Sequence, residues 1–202
     1  MTLSFLDRFR PQRASTAAPV FDGLAQVRAY WEARRDNGLP TRASLDPRGL
    51  NGVLDRVFLA ERIGRGLLQL RIAGSGLADF AGMDVRGLPL SCLFAPESRE
   101  QLGQSIERVF DMPAVAELDL GSDRARGDAV LARLVLLPLA EDRGAKLVLG
   151  ALSFAGPMPT RCKLQLRSWR EERLHQTPPE ATDAAPQPIR RYGHLSLVHV
   201  SE

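Results

Sequence analysis

The feature that most constrains the fold is a pair of neighbouring strand-like runs. VFLAERI (57–63) and LLQLRIA (67–73) are separated by a Gly-Arg-Gly loop at 64–66, an arrangement typical of a β-hairpin. In the second run Gln69 and Arg71 alternate with apolar residues and fall on the opposite face. The predicted apolar face of this strand consists of Leu68, Leu70 and Ile72. The hairpin therefore predicts an antiparallel sheet with one face in water.

Three later runs predict further strands of the same sheet. They are AVAELDL (114–120), AVLARLVLLPL (129–139) and KLVLGALSF (146–154), connected by polar loops of the kind found in hairpins. Between the two groups of strands, residues 74–112 predict short helices, and Pro96 stands at the first turn of the longest. The order β-β-α-α-β-β-β predicts an α+β fold, in which a five-stranded antiparallel sheet carries short helices on one face.

A helix is predicted ahead of the sheet, from Leu24 to Asp36. Its apolar residues recur at the spacing of one helix face, and they are Leu24, Val27, Tyr30 and Trp31. This is more apolar surface than an isolated helix normally exposes. Two alternatives follow: the helix joins two copies of the chain in a homodimer, or it docks on its own sheet.

The chain is predicted to hold one domain between irregular ends. Residues 1–20 are predicted to form a flexible N-terminal segment, 21–158 the domain with its N-terminal helix, 159–176 an extension, and 177–202 a Pro- and Ala-rich linker and tail. Within the extension, residues 161–174 predict an extended stretch followed by a helical turn.

Composition excludes several classes of protein. No stretch approaches the ~20 apolar residues needed to cross a bilayer, so we predict no integral membrane segment. The N-terminus lacks the long apolar run and the cleavage pattern of a secretory signal. The two cysteines, Cys92 and Cys162, are too few for a disulfide framework or a zinc site and suit a reducing compartment. We therefore predict a cytoplasmic protein.

The charge balance argues against a nucleic-acid partner despite a pI near 9.3. The formal net charge is only +3, from 27 basic and 24 acidic residues. The only lysines are Lys146 and Lys163, and the arginines are spread over the whole chain. Nucleic-acid binding needs basic residues concentrated in a patch or stripe. We therefore predict no nucleic-acid binding, and a DNA- or RNA-binding regulator is the less favoured alternative.

The residues that catalysis needs are not grouped in the sequence. A catalytic site brings together a nucleophile, a base and an orienting group, yet His175, His194 and His199 all lie outside the predicted domain. Glu117 and Asp119 alternate with apolar residues, so both carboxylates are predicted to face water on the outer side of the sheet. We therefore predict a protein that is not an enzyme and that has no metal site.

The predicted topology and several short motifs resemble one protein family. The most specific motif is LRIAGSGLADFAGMDVRG (70–87), and the others are LPTRASLDP (39–47), VFLAE (57–61), LF (93–94) and the tail phrase RYGHL (191–195). In these motifs the chain resembles the small PAS-fold proteins of alphaproteobacteria, once grouped as a domain of unknown function, over about residues 24–155 and the tail. The resemblance implies a sensory or regulatory role in bacterial signalling and a protein partner.

The same resemblance raises the alternative of a cofactor-binding sensor. Haem-binding PAS domains ligate iron through a side chain near the long helix, usually a histidine, and residues 96–112 contain none, although Met112 is present. Flavin photosensors of this superfamily use a cysteine in a similar region. Here Cys92 lies in the apolar sequence LSCLF without the polar partners that hold a flavin. We therefore predict a small core residue at Cys92 and no cofactor.

The resemblance also implies a space between the sheet and its helices, which either binds a small ligand or is filled by side chains. The candidate lining residues are Leu68, Leu70, Ile72, Leu118, Leu134 and Leu136 from the sheet, and Phe80, Phe94, Ile106 and Phe110 from the helical side. The predicted function is that of a non-enzymatic sensory, regulatory or adaptor protein. It would act by sensing a small ligand, by contacting a protein partner, or by both.

Overall fold

The computed structural model describes residues 19–36, 38–124, 130–159 and 162–174. Its strands form one antiparallel sheet in the order β2-β1-β5-β4-β3-β6. The strands are β1 (Val57–Gly64), β2 (Leu67–Ala73), β3 (Ala114–Ser122), β4 (Ala132–Pro138), β5 (Leu147–Phe154) and β6 (Leu164–Arg173). The helices are α1 (Leu24–Glu32), α2 (Ser75–Ala81) and α3 (Arg99–Asp111). The predicted α+β architecture is confirmed, with six strands instead of five.

The additional strand, β6, lies in the segment predicted as an extension. The predicted helical turn at its end is wrong, because β6 continues as a strand to Arg173. It pairs with β3 along its whole length, from Ala114 opposite Arg173 to Ser122 opposite Leu164. Helix preference in the Arg-Glu-Glu-Arg sequence is a weak tendency, and it yields to the hydrogen bonds that the open edge of β3 offers.

The inner face of the sheet is covered by α2, α3 and the turns between them. Its core includes Phe58 and Ala60 of β1, Leu118 and Leu120 of β3, and Val148 of β5. This is the face on which the sequence predicted the short helices.

The outer face of the sheet is less exposed to solvent than predicted. Val135 and Leu137 of β4, together with Leu149 of β5, point to this side and are buried beneath α1. The runs that form β4 and β5 are almost continuously apolar, which is typical of strands buried on both faces. The alternation in β2 described only the edge of the sheet.

Helix α1 docks on its own sheet, which confirms the second of the two alternatives. Trp31 is 0% exposed, and its Nε1 donates a hydrogen bond to the carbonyl oxygen of Pro138 at 2.9 Å. The helix ends at Glu32 rather than Asp36, and it is closed by two i→i+3 hydrogen bonds, from the Arg34 N–H to the Trp31 carbonyl and from the Arg35 N–H to the Glu32 carbonyl. The homodimer stays a prediction, but it cannot rest on the apolar face that α1 buries within the chain.

A β-bulge in β2 reverses one predicted position. The register changes from Leu59 opposite Ile72 to Ala60 opposite Leu70, so that Arg71 is an extra residue. Because side chains alternate between faces, one extra residue moves the next side chain to the other face. Ile72 therefore lies on the outer face and is 50% exposed, whereas the sequence predicted it on the inner face.

The connector, defined as residues 39–56 between α1 and β1, crosses the outer face as a series of single turns. Its end passes directly over Gly74, where a Cβ atom would collide with the carbonyl oxygens of Leu54 and Asp55. The Gly74 backbone N–H also donates to the carbonyl oxygen of Val57 at 2.8 Å. Glycine at this position lets the connector lie against the end of β2.

Candidate functional site: a cavity on the outer face of the sheet

Most of the side chains predicted to line an inner pocket lie together in the buried inner core. Those that the structure buries together are Leu68, Leu70, Phe80, Phe94, Ile106, Leu118, Leu134 and Leu136. Phe110 is partly buried against this cluster, and Ile72 lies on the other side of the sheet. The ring of Phe80 also packs against Phe154, with 5.2 Å between centroids. The inner face thus holds a cluster of buried side chains at the predicted ligand position. At the edge of this cluster, Phe80, Leu93 and Cys162 also border a cavity of about 350 Å³, whose polar lining includes Lys163.

A cavity of about 250 Å³ opens on the outer face, between the connector and strands β1, β2 and β5. We call it the outer cavity. Its apolar wall includes Leu45, Leu50, Leu54, Leu59, Ile72 and Leu149. Two charged residues, Arg42 and Asp46, also line it. An apolar cavity with a few polar groups is the usual composition of a small-molecule site.

Local hydrogen bonds fix the shape of the connector around the outer cavity. The Thr41 hydroxyl accepts a hydrogen bond from the Ser44 backbone N–H at 3.2 Å and caps the turn that carries Arg42. Asp46 Oδ1 accepts one from the Arg48 N–H at 2.9 Å and caps the next turn. Such side-chain caps hold short turns in one conformation. The position of Arg42 is therefore set by its own turn.

The two charged groups of the outer cavity differ in what they already bind. The Asp46 carboxylate is exposed and engaged by the Arg48 backbone. Arg42 is partly buried, and within the described ranges its guanidinium has neither a hydrogen-bond nor an ion-pair partner. A guanidinium offers five N–H donors. Arg42 is thus an unused donor beside an apolar wall.

The outer cavity is physically connected to α1. The Tyr30 hydroxyl donates to the Asp46 carbonyl oxygen at 2.9 Å and accepts from the Asp46 backbone N–H at 2.6 Å. Leu50, one of the cavity residues, belongs to the same buried cluster as Trp31. The connector and α1 are therefore in direct contact beside the outer cavity.

The family of the chain follows from a comparison with family models. Residues 22–153, more than half of the chain, match a model described as a PAS domain. The chain belongs to the PAS domain family. The match spans α1 to β5 and leaves β6 outside it. Separate comparisons with curated proteins and with solved structures found no match.

In this PAS domain the two acidic residues of β3, Glu117 and Asp119, are held in ion pairs. Asp119 accepts from Arg133 at 2.7 Å, and Glu117 lies 3.3 Å from both Arg28 and Arg170. Both lie on the outer side as predicted, but they are partly covered by these arginines instead of facing open water. Their arrangement is that of a structural network between α1 and the sheet.

A further ion pair joins the β1–β2 hairpin to α3. Arg62 donates to both carboxylate oxygens of Glu107, at 2.9 and 2.6 Å, and the Gly66 N–H donates to the same carboxylate at 2.7 Å. The hydrogen bond from Arg62 is the largest cause of a lowered Glu107 pKa. The hairpin can approach α3 this closely because Gly66 and Gly103 face each other. This contact holds the β1–β2 hairpin against α3.

The cysteines have the character of core residues. Cys92 is partly buried against the inner core, and burial raises the pKa of its thiol. A thiol that stays protonated is a poor nucleophile. Cys162 is buried, and His175, His194 and His199 lie outside the described residues. Within the described ranges, no group of His, Cys, Asp and Glu side chains is arranged to hold a metal ion.

Sequence reasoning missed the outer cavity. One signal was present, because Leu45, Leu50 and Leu54 recur in an irregular connector that also contains charged residues and glycines. Apolar residues at such spacing in an irregular segment indicate that it packs on something. What they pack on depends on the bulge that turns Ile72 outward, and that bulge has no clear signature in the strand sequence.

Among the described helices, none is long and apolar enough to cross a membrane.

Proposed function

We propose that this PAS domain protein is a non-enzymatic regulatory protein of bacterial signalling, located in the cytoplasm, that binds a small ligand in the outer cavity and signals through α1. The observation that carries the proposal is the contact between the cavity and the helix. Asp46 and Leu50 border the cavity, and both belong to structure that holds α1 through Tyr30 and Trp31.

The two faces of the sheet support the choice of site. A ligand in the inner core would have to displace fully buried side chains such as Phe94 and Leu118. Protein interiors are close-packed, so that displacement would be costly. The outer cavity already exists, and Ile72 and Leu54 at its wall are partly in water. A ligand there would replace water at an apolar surface.

The proposed consequence of binding is a shift of α1 or the connector. The Tyr30 hydroxyl both donates a hydrogen bond to the Asp46 carbonyl oxygen and accepts one from the Asp46 backbone N–H. A ligand can bias two conformations only if it binds them differently. An occupant of the outer cavity contacts the connector, so its binding energy depends on where the connector lies. The altered α1 surface would then be recognised by a protein partner, which gives the protein its adaptor role.

The absence of catalysis is part of the proposal. It is supported by the ion pairs that occupy Glu117, Asp119 and Glu107, and by the raised pKa of Cys92. The alternative of a flavin or haem sensor would require a cofactor in the inner core, where the described side chains are packed together. We expect the purified protein to be colourless, and a flavin or haem absorption band would contradict the proposal.

The isoleucines provide a test that separates the two faces. Ile72 lines the outer cavity, Ile106 lies in the inner core, and Ile63 is an exposed residue of β1 that lines no part of the cavity. Screening small apolar compounds against the full-length protein should shift the Ile72 methyl signal and, with it, the Trp31 indole N–H signal. Replacing Tyr30 with phenylalanine should keep the first shift and weaken the second, because the hydroxyl link is removed.

Two results would contradict the proposed function. Compounds that shift Ile106 but not Ile72 would place the ligand in the inner core. Compounds that shift Ile72 but never Trp31 would break the proposed route to α1. Ile63 is the matched control, because it is about as exposed as Ile72 and lies in the neighbouring strand but does not line the cavity.

A further inference from the structure

We infer that the outer cavity selects a short amphiphilic carboxylate, with its alkyl chain on the leucine and isoleucine wall and its carboxylate on Arg42. This inference rests on the proposed function and deepens it by naming the ligand class. The observations that carry it are the apolar wall, the size of the cavity and the unpartnered guanidinium at its side.

The apolar part of the ligand follows from the wall and the volume. Leu59, Ile72 and Leu149 come from three adjacent strands and form one side, while Leu45 and Leu50 face them from the connector. The volume of about 250 Å³ is slightly below the roughly 300 Å³ at which sites for drug-sized ligands begin. A short alkyl chain suits this space better than a fused-ring cofactor.

The charge of the ligand follows from Arg42. Arg42 is a partly buried residue, and its guanidinium has no partner in the described parts of the chain. The two strand arginines Arg71 and Arg133 differ from it, because they are paired with Glu61 and Asp119. A carboxylate matches a guanidinium in charge and in its two-pronged geometry. An anionic head group would therefore supply the missing partner of Arg42.

Asp46 is a negatively charged residue of the same cavity, and it would favour a cationic ligand over an anionic one. Its carboxylate is exposed, and one oxygen is bonded to the Arg48 N–H. Water therefore screens its charge more than that of Arg42. We assign it the role of capping the connector turn, and a cationic ligand is the outcome that would show this assignment to be wrong.

The test titrates the full-length protein, labelled at the isoleucine methyl groups, with octanoate, 1-octanol and octylamine. These probes share an eight-carbon chain and differ in charge. The two charged probes are used below their micelle-forming concentrations, and 1-octanol is used below its solubility limit. Octanoate should shift Ile72 saturably and leave Ile106 in place. Its dissociation constant should be at least about tenfold lower than that of 1-octanol, because a charge-assisted hydrogen bond contributes more than a neutral one.

Three variants assign the preference to Arg42. Arg42→Gln should bind octanoate and 1-octanol about equally, and Arg42→Lys should keep part of the preference because the charge remains. Arg48→Gln is the matched control, because it removes a positive charge from the same connector but from a residue outside the cavity lining. An unchanged Ile106 signal shows that each variant is folded.

The outcomes separate the inference from the proposed function. If 1-octanol or octylamine shifts Ile72 as strongly as octanoate, or if Arg42→Gln keeps the preference, the inference is wrong and ligand binding in the outer cavity stands. If none of the three probes shifts Ile72, the inference is wrong, and the screen of other apolar compounds decides the function. If the probes shift Ile106 instead, both are wrong.

Discussion

The two faces of the sheet bury apolar residues in different ways. On the inner face, helices and strands interlock around side chains such as Phe94, which is fully buried. On the outer face, α1 seals the part over β4 and β5, but the connector only borders the part over β1 and β2. A helix presents a continuous row of side chains to a sheet, whereas a series of single turns leaves gaps. The outer cavity is such a gap.

The comparison has a functional consequence. A packed core responds to a change of one methylene group by losing stability, because its neighbours cannot rearrange freely. A partly open cavity can gain an occupant without disrupting the fold. In this PAS domain the inner face is therefore suited to holding the sheet together, and the outer face beside the connector is suited to binding.

The largest predicted loss of stability comes from a substitution in α1, and it tests whether this helix contributes to the stability of the fold as much as an inner-core residue does. Replacing Trp31 with alanine should lower the free energy of unfolding by about 3–5 kcal/mol, because a fully buried indole and its bond to Pro138 are lost. Urea unfolding measures this loss. Tyr30→Phe is the milder companion and should cost about 1 kcal/mol for its hydroxyl bonds. A Trp31→Ala protein as stable as the wild type would show that α1 does not dock on the sheet.

The next prediction contrasts two neighbouring positions of β2. Leu70 is 0% exposed on the inner face, and Ile72 is 50% exposed on the outer face. Leu70→Ala should cost about 2–5 kcal/mol of unfolding free energy, because it leaves a hole in a packed core. Ile72→Ala should cost about 1 kcal/mol or less, because its side chain is half in water. Equal costs in chemical denaturation would mean that the bulge at Arg71 is absent.

A third prediction concerns the glycine that lets the connector cross β2. Gly74→Ala should destabilise the protein by about 1–3 kcal/mol, because its Cβ would overlap two backbone carbonyl groups that cannot swing away. It should also alter ligand binding in the outer cavity, which Gly74 lines. Gly38→Ala is the control, since no atom lies within 4 Å of the added Cβ. Thermal unfolding of the two variants should differ clearly, and matching curves would refute the crossing.

The smallest predicted effect is a pH dependence at the hairpin contact on the inner side. Arg62 lowers the Glu107 pKa, so the pair stabilises the folded state at neutral pH and loses this contribution as the pH falls through the carboxylate range. Glu107→Gln should lower stability at pH 7 by about 0.5–1 kcal/mol and by less in acid. Unfolding at several pH values measures this, with Glu100→Gln on the exposed side of α3 as control. A Glu107→Gln penalty that grew in acid would contradict the assignment.

Much of the inner face could be predicted from sequence. The apolar residues of β3 follow the period of a strand, and Phe94 and Ile106 stand at apolar positions of the helical segment. These patterns are local, so a chain can reveal them without its fold. The same holds for the docking face of α1, where Trp31 marks the buried side, although the sequence left its partner open.

The outer face could be predicted less well from the sequence, because its features depend on pairing between segments that are distant in the chain. The extra residue at Arg71 is defined by the register of β1 and β2, and it moved Ile72 from the predicted pocket to the other side. Strand β6 forms because β3 offers it an edge, although residues 170–173 favour a helix on their own. The outer cavity combines the connector with this bulge, so neither segment alone predicts it.

The most direct test of the account compares the accessibility of the two faces to an apolar probe without charge or shape preference. Xenon binds in apolar cavities large enough to admit it. Under xenon pressure, the methyl spectrum of the full-length protein should show a progressive shift of Ile72, with Ile106 and the exposed Ile63 nearly unchanged. A shift of Ile106 with Ile72 unmoved would contradict the account, because the open cavity would then lie inside the core.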